Sequence, residues 1–141
     1  MKKVACLAVA VSCVALQASA VQWTPIRSEK AAKLSVDSAS MQRKGDQVNL
    51  KYLIDYAKPQ GDVLSQVRYR SVVTAVAVRC KTRTLSLGTS ELFSHPGATG
   101  TLLATAVPTG REGDFTAIEK GTSDEDLWRH ACGQKGSGKK P

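Results

Sequence analysis

Residues 72–80 read Val-Val-Thr-Ala-Val-Ala-Val-Arg-Cys, a run rich in β-branched side chains with neither Gly nor Pro. Such side chains pack well on a pleated surface, so the run predicts a buried strand. Val72, Val76, Val78 and Cys80 share one parity, giving the strand an apolar face that ends on a thiol. Val67 and Tyr69 fall on the opposite set, and a bulge or bend near Ser71 reconciles the two halves. The stretch from Gln66 to Leu87 is therefore the expected centre of a sheet, and the rest of the chain can be read as packing around it.

The chain opens Met1-Lys2-Lys3, runs apolar from Val4 to Leu16 and then reads Gln17-Ala18-Ser19-Ala20. A basic start, an apolar run and Ala-x-Ala are the order of a secretory signal peptide, with cleavage expected after Ala20. The apolar run is shorter than the roughly 20 residues that span a bilayer. Ala10-Val11-Ser12 before Cys13 lacks the Leu expected of a lipidation signal. The expected division is a signal peptide over 1–20, one domain over 21–133 and a basic, disordered tail over 134–141. The expected destination is the periplasm or the outer cell surface.

Removing twenty of the 141 residues leaves 121, the size of one domain with a real core. It also removes Cys6 and Cys13, so Cys80 and Cys132 remain. Two cysteines in an exported chain are most simply one disulfide. The alternatives are a free nucleophilic thiol or a metal pair, and neither has a supporting His or Cys motif nearby. The bridge would close a loop of about 50 residues and stabilise the fold by roughly 3–4 kcal/mol.

Around the central run, the clearest strand is Gln47–Tyr56. Val48, Leu50, Tyr52, Ile54 and Tyr56 alternate there with Asn49, Lys51, Leu53 and Asp55. One core face and one mostly wet face favour antiparallel pairing. Trp23 and Ile26 predict a first strand, with Pro25 marking an edge. Ala32–Val36 predicts a second strand, followed by a helical turn capped by Asp37 and Ser38 and a turn at Lys44-Gly45-Asp46. Ala57–Ser65, with Pro59 and Gly61, reads as a loop. Thr84–Phe93 reads as a strand with Leu85, Leu87 and Phe93 on one face and a bulge at Gly88. After a loop over Ser94–Gly100 comes a last strand, Thr101–Val107, and then a mixed, polar segment to Gly121.

Ser123–Gly133 carries helix signals at both ends. Ser123 is a candidate cap, and Asp124, Glu125 and Asp126 suit the positive end of the dipole. Arg129 and His130 suit the other end, and Gly133 is a stop. Trp128 and Cys132 are four apart, so they face the sheet together. The expected fold is α+β: a single, mainly antiparallel sheet of about six strands with a C-terminal helix.

No motif of catalysis stands out. His95 and His130 are the only histidines, and no Gly-x-Ser-x-Gly elbow accompanies them. The Asp124–Asp126 cluster lacks the spacing of a calcium loop and is better explained by the helix dipole. No catalytic residue, cofactor or metal is expected. The net charge of +8, about +6 without Lys2 and Lys3, favours anionic partners such as glycans, lipid head groups or acidic proteins. Arg68, Arg70, Arg79, Lys81 and Arg83 are candidates for one basic docking patch on the central strands. Nucleic acid is not an expected partner, because no recognised binding module is present.

The order of these features resembles the bacterial surface-adhesin protein E family. The resemblance rests on Trp23, Val36-Asp37-x-x-Ser40, Gly45-Asp46-x-Val48, Asp55-Tyr56, mid-chain Cys80 with Arg83, and Trp128-x-x-x-Cys132. It covers roughly Gln22 to Cys132. It implies an exported, non-enzymatic protein that binds host extracellular-matrix or serum proteins, and it implies a homodimer. It carries no binding residues over. A periplasmic accessory or envelope-stress protein without a host ligand is the alternative function.

Overall fold

Val48, Leu50 and Tyr52 are buried, whereas Asn49 and Lys51 between them are exposed. This alternation sets the two faces of the whole molecule. A computed structural model of the protein describes residues 21–61, 66–110 and 113–133. The expected signal peptide, Cys6, Cys13 and the expected basic tail lie outside the described residues, as does part of the expected Ala57–Ser65 loop.

The elements are β1 (Trp23–Ser28), β2 (Ala32–Lys44), β3 (Gln47–Gln60), β4 (Tyr69–Arg79), β5 (Thr84–His95), β6 (Thr99–Ala106), the two-residue β7 (Thr116–Ala117) and α1 (Ser123–Cys132). The first six strands pair in chain order, all antiparallel, and β7 pairs with the start of β5. The sheet is a meander, and β2 meets β3 and β4 meets β5 through short turns. At the β2–β3 turn Gly45 has φ +60°, and the Asp46 carbonyl and carboxylate accept from the amides of Cys80 and Lys81 (3.0 and 2.9 Å). One aspartate thus ties two hairpin turns together.

Direct partners across the ladders lie on the same face. Leu34 pairs with Ile54, Val36 with Tyr52, Val48 with Val78, Leu50 with Val76 and Val78 with Leu85. Helix α1 lies over this face and adds Leu127, Trp128 and Ala131, while Ile118 comes from the segment before it. Cys80 and Cys132 form the expected disulfide at the rim, with a Cα–Cα distance of 5.6 Å. Trp128 Nε1 donates to the Cys80 carbonyl (3.2 Å), and Arg43 Nη2 donates to the Ala131 carbonyl (3.0 Å). The last turn of α1 is therefore fastened to the sheet by three kinds of bond within a few residues.

Several local expectations are corrected. Strand β4 ends at Arg79, so Cys80, expected as the last residue of the strand's apolar face, stands one residue beyond it in the turn. The irregularity expected near Ser71 lies across from it: β3 gains residues between Asp55 and Gln60, the partners of Ser71 and Tyr69. Strand β3 accordingly runs through part of the expected loop, to Gln60. No helical turn follows Val36. Strand β2 continues and bulges between Asp37 and Gln42, with Asp37 Oδ1 accepting from Ala39 N (3.2 Å) and Ser40 Oγ donating to the Asp37 carbonyl (2.9 Å). The local side-chain bonds that would cap a helix here stabilise a bulge instead. The helix cap is Thr122, whose hydroxyl accepts from Glu125 N, rather than Ser123.

At Gly88 the register slips between Val76–Leu87 and Thr74–Ser90, so the expected bulge is present. It changes parity: Phe93 pairs with Ser71, on the face opposite Leu85 and Leu87. Leu53 is also buried, at 1% exposure, although it lies on the face expected to be wet. It pairs with Ser35 and Val73, both buried, and forms a second, smaller apolar line at one end of that face.

Candidate functional site

The face opposite α1 carries the odd-numbered residues of β3 and β4. Near the β2–β3 turn it presents Gln47, Asn49 and Lys51 beside Ala75, Ala77 and Arg79. The alanines keep the floor low. Gly88 continues it on β5, where an added Cβ would meet the Ala75 side chain at 3.2 Å and its carbonyl at 3.3 Å. With Leu50, Val76 and Leu87 also in the lining, the result is a cleft of about 750 Å³. That lies within the usual range of ligand pockets, about 300–1,000 Å³.

Two irregular segments supply its walls. On one side the β2 bulge brings Ser40 and Gln42 to the rim, and Ser40 Oγ accepts from Lys51 N (3.1 Å). On the other side the chain after β6 returns with Val107, Pro108, Gly110, Gly113 and Phe115. The Arg79 guanidinium lies 3.7 Å from the centre of the Phe115 ring, a cation–π contact that joins this wall to β4. Gln47 Nε2 donates to Asn49 Oδ1 (2.9 Å), which orients two neighbouring amides. Ser86 and Thr89 add hydroxyls from β5. Among the described residues the cleft thus offers amides, hydroxyls, one aromatic ring, apolar side chains that include Leu87, Val107 and Pro108, and two cations, Lys51 and Arg79. It can bind by hydrogen bonding and charge.

The five basic residues picked out from the sequence do not form one patch. Arg79 lines the cleft. Arg70 turns to the β3 irregularity and donates to the carbonyls of Tyr56 and Ala57 (3.2 and 3.3 Å). Arg68 is exposed before β4, and Lys81 is exposed in the turn after it. Arg83 belongs to the other face. It adopts φ +51°, sits 4.5 Å from the centre of Trp128 and pairs with Glu125 at 3.0 Å. Two adjacent strands joined by a turn place Arg79 and Arg83 on opposite sides, a separation that spacing along the chain does not reveal.

The acidic cluster likewise divides. Asp126 pairs with Arg27 (3.0 Å), which also meets Glu29. Glu125 accepts from the Gly121 amide (2.8 Å) and pairs with Arg83 and Arg129. The Gly121 amide, aided by the two arginines, holds its carboxyl below the usual glutamate range despite partial desolvation. Burial pushes Asp124 upward instead. Among the described residues no group of three or more His, Cys, Asp or Glu side chains is placed to hold a metal ion. His95 contacts Ser94 at the β5–β6 turn (2.8 Å), while His130 faces Ser38 from α1 (3.4 Å). Tyr56 and Tyr69 form an edge-on pair (5.9 Å), and burial raises the Tyr52 hydroxyl pKa.

Gln47, Asn49, Lys51 and Phe115 were not singled out from the sequence as binding residues. The signal for the first three was the polar half of the alternation in 47–56. Phe115 had none, because its place depends on how the polar segment after β6 returns.

The family model described as surface-adhesin protein E matches residues 23–133. Among solved structures, one of Haemophilus influenzae protein E is similar with a TM-score of 0.56 and 13% identity, covering 81% of this chain and 92% of that one. A structure of protein E from non-typeable Haemophilus influenzae gives 0.56 at 16% identity, covering 82% and 79%. A further crystal form of Haemophilus influenzae protein E gives 0.57 at 12% identity, covering 82% and 98%. No curated protein sequence gives a significant match.

Proposed function

Since the chain belongs to the surface-adhesin protein E family, we propose that it is a non-enzymatic adhesin that binds host extracellular-matrix or serum proteins at the outer cell surface. In this reading residues 1–20 act as a cleaved leader, 21–133 form the binding domain and 134–141 a basic tail. The observation that carries it beyond the family name is the asymmetry of the sheet. Helix α1 and the disulfide close one face, while the other keeps a side-chain-lined cleft of about 750 Å³. A surface organised to recognise something serves binding. The proposed ligand-contacting residues are Gln47, Asn49, Lys51 and Arg79, with Phe115 behind Arg79. Arg68 and Lys81, exposed beyond the cleft, extend the positive potential that draws an acidic partner toward it.

The test is protease accessibility of the native protein on intact and on permeabilised cells, followed by binding of the purified protein to solubilised basement membrane and to serum. Digestion on intact cells together with saturable binding is the expected result. Protection until permeabilisation, with no binding, would overturn the adhesin reading in favour of a periplasmic accessory role.

A further inference from the structure

We propose that one end of the sheet docks on the anionic headgroups of the membrane of the cell that exports the protein. This is the end where the β2–β3 and β4–β5 turns meet the last turn of α1. The adhesin reading concerns the open face, and the docking rests on it for one point, that the protein stays with its own cell.

The first argument is a convergence of cations. Arg43 and Lys44 close β2, Lys81 stands in the β4–β5 turn, and all three are exposed. The bonds from Asp46 to the Cys80 and Lys81 amides hold the two turns together, and the disulfide brings α1 to them. Arg43 meets neutral groups, the Ala131 carbonyl (3.0 Å) and the Cys80 sulfur (3.8 Å). Among the described residues neither Lys44 nor Lys81 has an ion-pair partner. Nearby, Arg83 and Arg129 share one carboxylate, that of Glu125. Asp46 is half-buried, and its carboxylate accepts from the Lys81 amide (2.9 Å). Glu119 and Lys120, which follow Ile118 beside Arg83, cancel.

The rest of the chain does not reverse this balance. Residues 134–141 continue from the helix with Lys135, Lys139 and Lys140 and neither Asp nor Glu, and residues 1–20 contain no acid either. Arg111 and Glu112 carry one charge of each sign. Asp62 follows Gly61, beyond the opposite end of β3.

The second argument is the kind of cation and where it stands. Arginine suits fixed, two-pronged recognition of one carboxylate or phosphate, whereas lysine is a point charge on a flexible stem. At this end Arg43, Arg83 and Arg129 are engaged within the molecule, and the free cations are lysines. Lys44 and Lys81 stand at turns and are not among the residues lining the cleft. Point charges on turns suit a surface of many mobile phosphates, where each lysine adds its own attraction. With this end down, the strands rise from the membrane and the open face is left clear.

The experiment is flotation of the purified exported protein with vesicles of phosphatidylcholine containing about 30% phosphatidylglycerol, at about 0.15 M salt. The test variant is Lys44→Glu, Lys81→Glu. The control is Lys30→Glu, Lys58→Glu, the same charge change at exposed sites of the opposite end. Both are checked for an unchanged melting temperature, and Lys44→Gln, Lys81→Gln should give a smaller loss in the same direction. The expected result is binding that is absent with phosphatidylcholine alone, weakened about tenfold or more by the test variant and less than about threefold by the control. On the exporting cells, the test variant should pass into the medium about threefold more than wild type. Absence of vesicle binding, equal losses in test and control variants, or unchanged retention on cells would each overturn the proposal. Complete displacement from vesicles by heparin at an equal concentration of anionic groups would also overturn it, in favour of a glycan. Protease protection on intact cells would break the adhesin reading without touching the vesicle result, so the two can fail separately.

Discussion

The two faces of this sheet arise from the same alternating strands, yet they are put to opposite uses. On one, Val36, Val48 and Val78 are almost fully buried beneath α1, and Trp128 fits between the Cys80 turn and Arg83. On the other, positions at the same level carry Asn49, Lys51 and Ala77, and among the described residues no helix covers them. The stabilising contacts are concentrated where the chain returns on itself, at the disulfide, the α1 cap and the core. Because the second face is not needed to close that core, its side chains are free to vary in charge and size. Binding can then be altered without loss of the fold.

The largest effect expected from breaking this division is on the fastened side. Replacing Cys132 with Ser opens a loop with a sequence separation of 52. In the chain-entropy description that loss is about 4 kcal/mol, or roughly 10–15 °C in melting temperature for a domain of this size. Calorimetry under oxidising conditions measures it, and an unchanged midpoint would remove the bridge from the stability of the fold. Next comes Leu127→Ala. Leu127 is 1% exposed between helix and sheet, and its truncation should cost about 3 kcal/mol in denaturant unfolding. Ligand binding measured where that variant is still folded should be unchanged, since the residue lies on the other face.

A smaller effect sharpens the comparison through pH. The Glu125 carboxyl is held below its ordinary value by the Gly121 amide and its arginine partners. The stability it contributes is therefore complete above the unfolded-state value, about 4.3, and is lost as pH falls through the lower folded value. Asp124, raised by burial, acts in the opposite sense: its contribution is present below its ordinary value and lost as pH rises through the folded one. Glu125→Gln should lower stability at neutral pH and flatten the decline below about pH 4. Melting curves across that range test this, and an unaltered acid slope would mean that Glu125 is not an anchor of the helix.

Much of this fold was legible because it follows local rules. Alternation in 47–56 placed the core strand, the β-branched run placed β4, and Trp128 with Cys132 placed the buried side of α1. The expected pairing of Cys80 with Cys132 is present. What escaped depends on pairing register. Phe93 changes face because of one extra residue near Gly88, and the Asp37–Ser40 bonds serve a bulge because β3 is alongside. The cleft was the least legible feature. Its cations come from different strands, Lys51 and Arg79, while the basic residues nearest in sequence, such as Arg83, are turned to the other face. A charge count sees only the sum, whereas a site depends on parity, and one turn between β4 and β5 reverses it.

The most direct measurement takes both faces at once. Cells displaying the Asn49→Glu, Lys51→Glu double variant are compared with wild type for adhesion to a basement-membrane coat, and the purified variant is melted alongside. Adhesion falling to background, with a melting temperature within about 2 °C of wild type, is the expected result. Full adhesion by the correctly folded variant would contradict it, and would move recognition away from the open face.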